Sequence, residues 1–147
     1  MKLTLHHINV ASRDVPGLDA FWGEVLMQEG IGGQATLPTL ESGNYPGRVM
    51  FRTDGQVQFH LAEQDLRVAI RAGKAINPLE RGHIAFRTDD IEAFRRHLEA
   101  NGVAYVDYGT YFTRHWHQIF FQDPAGTVIE VHQVLDEPGD EQSEGTQ

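Results

Sequence analysis

The chain carries one motif twice. Residues 7–15 read HINVASRDV, and residues 83–91 read HIAFRTDDI. In each copy a histidine opens an alternating segment, a hydroxyl residue and an acid follow, and a helical pattern begins directly afterwards. The repetition predicts a duplicated fold. Because each copy begins with a good metal ligand, we expect any chemistry to lie between the two halves.

Length and cysteine content limit the kinds of site that are possible. A chain of 147 residues is long enough for one domain with a real core, and it contains no cysteine. Disulfides, thiolate metal sites and cysteine nucleophiles are therefore excluded, so a metal ion would need histidine and carboxylate ligands. No segment is typical of a signal peptide or a membrane span, which leads us to expect a cytoplasmic protein.

The formal charge of −9 is unevenly distributed. After Val134 the chain has five acidic residues and no Lys or Arg, and nothing apolar follows Leu135. This composition predicts a disordered, acidic tail over residues 135–147 and a folded body that is only mildly acidic. A nucleic-acid surface would need clustered Lys and Arg, so we do not expect one.

The first half predicts the element order βαβββ. A strand over residues 3–11 leads into a helix that is capped near Asp14 and runs to about Met27. Residues 28–47 are rich in Gly and Pro and predict a weak strand and a long loop. Two strands, over residues 48–52 and 56–62, follow around an Asp-Gly turn. The expected buried stripe of the helix is Leu18, Phe21, Trp22, Val25 and Leu26.

The second half repeats this order. The pattern predicts a strand over residues 81–88, a helix that ends at Gly102, and three further strands. Those strands are expected over residues 103–108, 115–122 and 127–133. We therefore predict an α+β fold of two paired βαβββ modules, 1–63 and 80–134, forming a single domain over residues 1–134. Residues 64–79 are either a connector or a mobile cover.

Strand alternation separates scaffold from candidate ligands. If Ile8 and Val10 pack under the first helix, His7 must point to the opposite face, and the same holds for His83 in the second copy. The closing strands place His60 and Glu130 on that face as approximate repeat counterparts. His6 has the helix-side parity, which favours a structural or edge role for it.

Histidines and one carboxylate form a chemically suitable set of metal ligands. Such donors suit Fe(II), Mn(II), Ni(II), Co(II) or Zn(II), and coordination positions not filled by protein remain for water or substrate. A cation held there can bind two adjacent substrate oxygens and stabilise an enediolate or catecholate. The expected cofactor is therefore a divalent metal ion, and the expected partner is a small-molecule substrate.

Three segments resemble the vicinal oxygen chelate superfamily, which includes glyoxalase I, extradiol dioxygenases and bleomycin resistance proteins. They are residues 5–10, residues 82–86, and residues 119–130 with their Asp-Pro-x-Gly hairpin. The resemblance implies a curved mixed sheet around a central metal cavity, and for proteins of this length a homodimer. It also implies that His7, His83 and Glu130 bind the metal.

The fourth metal position departs from the family pattern. Glyoxalase I has a glutamate where this chain has His60, and related enzymes have glutamine or a non-ligand. His60 is thus a fourth ligand, a neighbour of a three-ligand set, or a substrate contact. We expect Glu130 or His60 to move protons during catalysis. The expected substrate-binding residues are Asn9, Arg114, Tyr108 and His115, although packing explains the tyrosine equally well.

The function expected from these residues is metal-dependent lyase or isomerase chemistry on a substrate chelated through vicinal oxygens. The first alternative is an Fe(II) extradiol-type ring-cleaving dioxygenase. The second is a non-catalytic ligand-binding protein like the bleomycin resistance proteins, which usually lack the ligand histidines. Substrate identity depends on residues 28–47 and 63–80, where the sequence has no readable signature.

Overall fold

The computed structural model of the chain describes residues 1–31 and 45–135. Eight strands and three helices alternate in this part of the chain. The elements are β1 (Leu3–Ser12), α1 (Val15–Glu24), β2 (Glu29–Gly30), β3 (Val49–Thr53), β4 (Gln58–Glu63), α2 (Val68–Ala72), β5 (Gly82–Thr88), α3 (Ile91–Ala100), β6 (Tyr105–Gly109), β7 (Trp116–Gln122) and β8 (Val128–Val134).

All eight strands form one mixed sheet in the order β2-β3-β4-β1-β5-β8-β7-β6. β1 pairs with β4 in parallel, and β5 pairs with β8 in the same way. The two modules join where β1 and β5 run antiparallel at the centre of the sheet. The predicted α+β fold of two paired βαβββ units is therefore confirmed, and α2 lies in the segment between them.

Side chains alternate between two faces of the second module. Ile119 and Val131 lie opposite each other on β7 and β8, and they pack with three buried residues of α3. Those residues are Ile91, Phe94 and Leu98. Phe120, one residue along β7, belongs to a separate core with Ala62, Tyr108 and Phe112. The buried stripe of α3 therefore packs on one face of the sheet, and the opposite face is left for a cavity.

The first helix differs from its prediction in length and orientation. It ends at Glu24, and Met27 has a positive φ of 57°. Trp22 contacts Phe59 on β4, with 4.7 Å between ring centroids, and Asp19 pairs with Arg52 on β3 at 2.7 Å. These contacts turn the helix so that much of the predicted stripe faces outward. Phe21, Val25 and Leu26 are exposed.

β1 contains a bulge that changes the predicted direction of His6. Leu5 pairs with Phe86 and His7 pairs with Ala85, so two consecutive residues of β5 face three residues of β1. The extra residue brings His6 to the same side as His7, and their Nδ1 atoms lie 2.8 Å apart. The prediction that His6 has helix-side parity is therefore wrong, because strict alternation fails at a bulge.

Two predicted segments lie largely or wholly outside the described residues. They are the loop within residues 28–47, of which residues 32–44 are not described, and the acidic tail after Leu135. In the described part of the chain, no helix combines the length and apolar character needed to cross a membrane. The division into modules at residues 63 and 80 remains a proposal.

Gly82 makes the junction between the modules sterically demanding. Its φ is +115°, and a Cβ atom added there would overlap the backbone carbonyl oxygen of Asn9 on β1. We predict that Gly82→Ala lowers the free energy of unfolding by roughly 1–3 kcal/mol more than Gly126→Ala. Chemical denaturation of both variants measures the difference.

Gly126 is the matched control because it also has a positive φ, +85°, but no described residue other than its chain neighbours comes within 4 Å of its added Cβ. It therefore carries the dihedral strain without the clash. Equal losses for the two variants would contradict the close approach of β1 and β5 at Gly82.

Candidate metal centre

Three buried side chains converge at the centre of the sheet. His7 on β1, His83 on β5 and Glu130 on β8 each offer one ligand atom, and these atoms lie within 4.8 Å of one another. The strands are consecutive in the sheet, and the register pairs Asn9 with His83. The group could hold a metal ion, as the alternation predicted.

Glu130 is 1% exposed, and each of its two carboxylate oxygens accepts a hydrogen bond. Gln118 Nε2 donates to Oε1 at 2.8 Å, and His132 Nδ1 lies 2.7 Å from Oε2. His83 Nε2 is 3.5 Å from Oε1, and His7 Nε2 is 3.7 Å from Oε2. Each oxygen therefore faces one candidate ligand histidine and one residue that fixes its position.

Hydrogen bonds define the tautomers around this carboxylate. His83 Nδ1 is 2.8 Å from the carbonyl oxygen of Pro78, which can only accept, so Nδ1 carries the proton. The lone pair of neutral His83 then lies on Nε2, the atom that faces Glu130. An imidazole whose other nitrogen donates to a carbonyl is the arrangement usual for a metal-binding histidine.

His132 is fixed from the opposite side by Arg87. Arg87 Nε donates to His132 Nε2 at 3.0 Å, so the proton of neutral His132 must lie on Nδ1 and point to Glu130. The ring of His132 also stacks on Trp116, with centroids 4.1 Å apart and planes at 6°. Arg87 lies over the same indole, 5.2 Å from its centroid. This chain of contacts orients one oxygen of Glu130.

His60 is buried beside the group, but its nitrogens are not among the three clustered ligand atoms. Its ring stacks on His7 with centroids 3.8 Å apart. Its Nε2 lies 2.9 Å from Gln58 Oε1, an acceptor that places the proton on Nε2. This geometry favours support of His7 over a fourth bond to a metal.

The pKa values of four side chains at this centre are strongly shifted, those of His6, His7, His60 and Glu130. Burial lowers the pKa of His7 well below 6.5, with His60 adding to the effect. Burial also lowers the pKa of His6 and of His60 to about 3. For Glu130, burial alone would raise the pKa, but His7 and His132 hold it well below its usual value. The rings of His6, His7 and His60 are therefore neutral beside an ionised Glu130, the protonation state that a divalent cation requires.

A small cavity of about 50 Å³ opens on the four predicted residues His7, His60, His83 and Glu130. Most of its other walls are apolar. They include Tyr45, Val49, Ala62, Pro78, Leu79, Phe112, Trp116 and Phe120. Among the described residues that line it there is no Lys or Arg, so the wall itself offers no basic side chain to an anionic substrate.

Of the four residues predicted to bind substrate, Asn9 is among the described residues that line this cavity. Tyr108 is buried behind it and its hydroxyl donates to the carbonyl of Ile76 at 2.6 Å. Arg114 is exposed, and its Nε donates to Nε2 of buried His115 at 3.3 Å. The structure does not bring these three side chains to the cavity wall.

Gln118 and Thr113 line the cavity and were not predicted. A signal for Gln118 exists in the sequence, because Trp116, Gln118 and Phe120 alternate along β7 and must share a face. In the structure all three residues line the cavity, as this alternation requires. Its contact with Glu130 depends on the pairing of β7 with β8, in which Gln118 lies opposite His132.

Comparisons with known proteins agree with this architecture. The sequence model of the Glyoxalase/Bleomycin resistance protein/Dioxygenase superfamily matches residues 4–131, and the chain belongs to this superfamily. A search of curated proteins gave no significant match. The predicted family is thus confirmed, and the superfamily includes both enzymes and resistance proteins.

Solved structures share the fold at low sequence identity. A hypothetical protein, BH1468, from Bacillus halodurans C-125 has a TM-score of 0.64 at 18% identity, over 93% of this chain and 98% of the other. Methylmalonyl-CoA epimerase from Mycobacterium tuberculosis has a TM-score of 0.61 at 18% identity, over 92% and 91%. A variant of the Streptomyces coelicolor epimerase, in complex with 2-nitronate-propionyl-CoA, has 0.63 at 20% identity, over 92% and 100%.

The low pKa of His60 predicts a specific loss of stability in acid. The unfolded chain binds a proton at this residue below about pH 6.5, whereas the folded chain binds it only near pH 3. The unfolded state is therefore favoured as the pH falls, and the contribution of His60 reaches about 2 kcal/mol at pH 5. We predict that metal-free His60→Phe loses less stability between pH 7 and pH 5 than the wild type does.

Phenylalanine retains a ring that can stack on His7 but cannot titrate. Chemical denaturation in the presence of a chelator measures how steeply the free energy of unfolding falls between pH 7 and pH 5 in the wild type and in the variant. The matched control is His97→Phe, at an exposed position of α3. If the free energy of unfolding of His60→Phe falls with pH as steeply as that of the wild type, His60 does not remain neutral in the folded protein.

Proposed function

We propose that the chain is a divalent-metal-dependent enzyme that binds a small substrate through two adjacent oxygens. The observation that carries this proposal is the buried group of His7, His83 and Glu130, whose ligand atoms lie within 4.8 Å of one another at a cavity. Two imidazoles and a carboxylate suit borderline divalent ions. The neutral ring of His7 and the ionised Glu130 support the same proposal.

The donor set fits a metal ion for a further reason. An ionised carboxylate that is almost wholly buried is costly unless it is paired or coordinates a cation. Here Gln118 and His132 supply hydrogen bonds, and His83 presents the lone pair of its Nε2. When bound, a divalent ion would act as a Lewis acid toward the substrate oxygens.

The remaining residues define what the protein itself contributes. His132 and Gln118 hold the carboxylate of Glu130 in one orientation, and Pro78 does the same for the ring of His83. We assign proton movement to Glu130 or to His60, whose Nδ1 keeps a lone pair while Nε2 donates to Gln58. The aromatic walls exclude water from the reacting group.

The reaction class that we favour is isomerase or lyase chemistry, in which a proton leaves a carbon next to a substrate carbonyl. Support comes from the superfamily and from the fold shared with methylmalonyl-CoA epimerases. The second candidate is an Fe(II) extradiol-type dioxygenase. One observation favours it, since two histidines and one carboxylate are the set used by non-haem Fe(II) oxygenases.

A non-catalytic ligand-binding protein is the remaining alternative, and retention of the ligand histidines argues against it. The expectations of a cytoplasmic location and a homodimer stay predictions. So does the identity of the ion among Fe, Ni, Mn, Co and Zn.

We predict that the chelator-treated protein takes up one divalent ion per chain. His83→Ala should weaken this binding beyond the roughly 10- to 100-fold loss that outer contacts produce, because it removes a ligand. His60→Phe should stay close to the wild type, because its nitrogens are not in the clustered group. Isothermal titration with Zn(II), Mn(II) and Co(II) measures both effects.

His97→Ala, on the exposed side of α3, is the control for loss of a histidine. If the wild type neither retains nor takes up a stoichiometric ion, the enzyme proposal fails at its first step. A loss in His60→Phe as large as that in His83→Ala would instead restore His60 as a fourth ligand.

The two reaction classes differ in a measurement that does not need the natural substrate. An isomerase or lyase should exchange deuterium from D₂O into the carbon next to a carbonyl, which NMR detects in a panel of hydroxy ketones, hydroxy acids and acyl thioesters. We predict this exchange in the metal-loaded wild type and its absence in Glu130→Gln and His83→Ala.

A dioxygenase should instead consume oxygen when the Fe(II)-loaded protein meets catechols. Catechol-dependent oxygen uptake without deuterium exchange would favour the second candidate. If metal binds but neither reaction occurs across the two panels, the isomerase assignment is contradicted and the binding-protein alternative is favoured.

A further inference from the structure

The side chain of Gln118 contains a buried acceptor without a described partner. Its side chain is 6% exposed, and its Oε1 atom is buried without a hydrogen-bond partner among the described residues. A buried acceptor without a donor costs roughly 1–3 kcal/mol, so such atoms usually have a partner in the working state of a protein. Gln118 lines the same cavity as the three candidate metal ligands.

The orientation of this amide is fixed by its neighbour. The other end of the side chain, Nε2, donates to Glu130 Oε1 at 2.8 Å. An ionised carboxylate can only accept, so the nitrogen must face Glu130 and the oxygen must be the free end. Rotating the amide by 180° would set two oxygens against each other.

Asn9, which lines the same cavity, has a second unpaired acceptor. Its Oδ1 is also buried without a partner among the described residues, and the side chain is 9% exposed. It lies on β1, two residues after His7, whereas Gln118 lies on β7, across β5 and β8 in the sheet. Two residues that line one small cavity therefore each have a buried oxygen without a described partner, and a ligand that donates hydrogen bonds would satisfy them.

We propose that Gln118 selects substrates in which one of the two vicinal oxygens is a hydroxyl. The class is that of α-hydroxy acids and α-hydroxy ketones, as opposed to dicarbonyl compounds, which only accept hydrogen bonds. This inference rests on the proposed metal-dependent function, because it concerns the part of the substrate next to the ion. The cavity of about 50 Å³ restricts that part to a few atoms.

Lactate and pyruvate are suitable probes because they share a three-carbon skeleton and one negative charge. Lactate has a hydroxyl where pyruvate has a carbonyl. Titration of each into the Zn(II)-loaded protein gives a ratio of the two affinities. Any preference of Zn(II) itself for lactate or pyruvate is present in both the wild type and Gln118→Met, so comparing the two ratios removes it. We expect the lactate-to-pyruvate ratio to be about tenfold higher in the wild type than in Gln118→Met.

The matched control is Gln122→Met, the same replacement at an exposed position of β7. It should keep the wild-type ratio. Equal ratios in the wild type and Gln118→Met, with Zn(II) bound to both, would overturn the role of Gln118 and leave the metal-dependent function standing. If the wild type takes up no Zn(II), the proposed function fails and this inference is rejected with it.

A second measurement covers the case in which Gln118→Met does not fold. The side-chain carbonyl carbon of Gln118 in the wild type should shift in the ¹³C spectrum when lactate binds, because its oxygen accepts a hydrogen bond. Pyruvate should leave that resonance near its position in the Zn(II)-loaded protein. The same response to both ligands would contradict the proposal without any substitution.

Discussion

The buried charge of Glu130 is the constraint on which the rest of the centre depends. A carboxylate that is 1% exposed has lost nearly all its contact with water, and such a charge is costly unless donors or a cation surround it. Gln118 and His132 each satisfy one oxygen, at 2.8 and 2.7 Å. Since both are held by neighbouring strands and rings, the carboxylate has one orientation before any ligand arrives.

This arrangement extends beyond the residues that touch Glu130. Arg87 donates to the other nitrogen of His132 and so keeps the proton of the neutral ring on Nδ1, and Trp116 packs against the ring and lies under the guanidinium. The bulge in β1 brings His6 into the same layer, where its ring contacts Trp116. A local irregularity of one strand thus contributes to the packing of a polar cluster that a regular strand would leave incomplete.

The sequence predicted the fold and the convergence of the site because both follow from the period-two alternation of strands. His7, His83 and Glu130 share a face for that reason. His6 broke the rule, since a bulge is set by pairing with β5 and leaves no mark in the residue pattern. The outward face of α1 was missed because Asp19 and Arg52 pair across elements, which a helical periodicity does not contain.

Asymmetry between the two modules determines what this centre can do. His60 and Glu130 are repeat counterparts, yet His60 bonds within its own strand to Gln58 and stacks on His7, whereas Glu130 faces both candidate ligand histidines. Among the described residues, the carboxylate of this group therefore comes from the second module alone. The unpaired oxygen of Gln118 is also in the second module, whereas that of Asn9 is in the first. If Gln118 selects a hydroxyl as proposed, the substrate presents that donor toward β7, which gives the cavity a direction that the duplicated fold alone does not have.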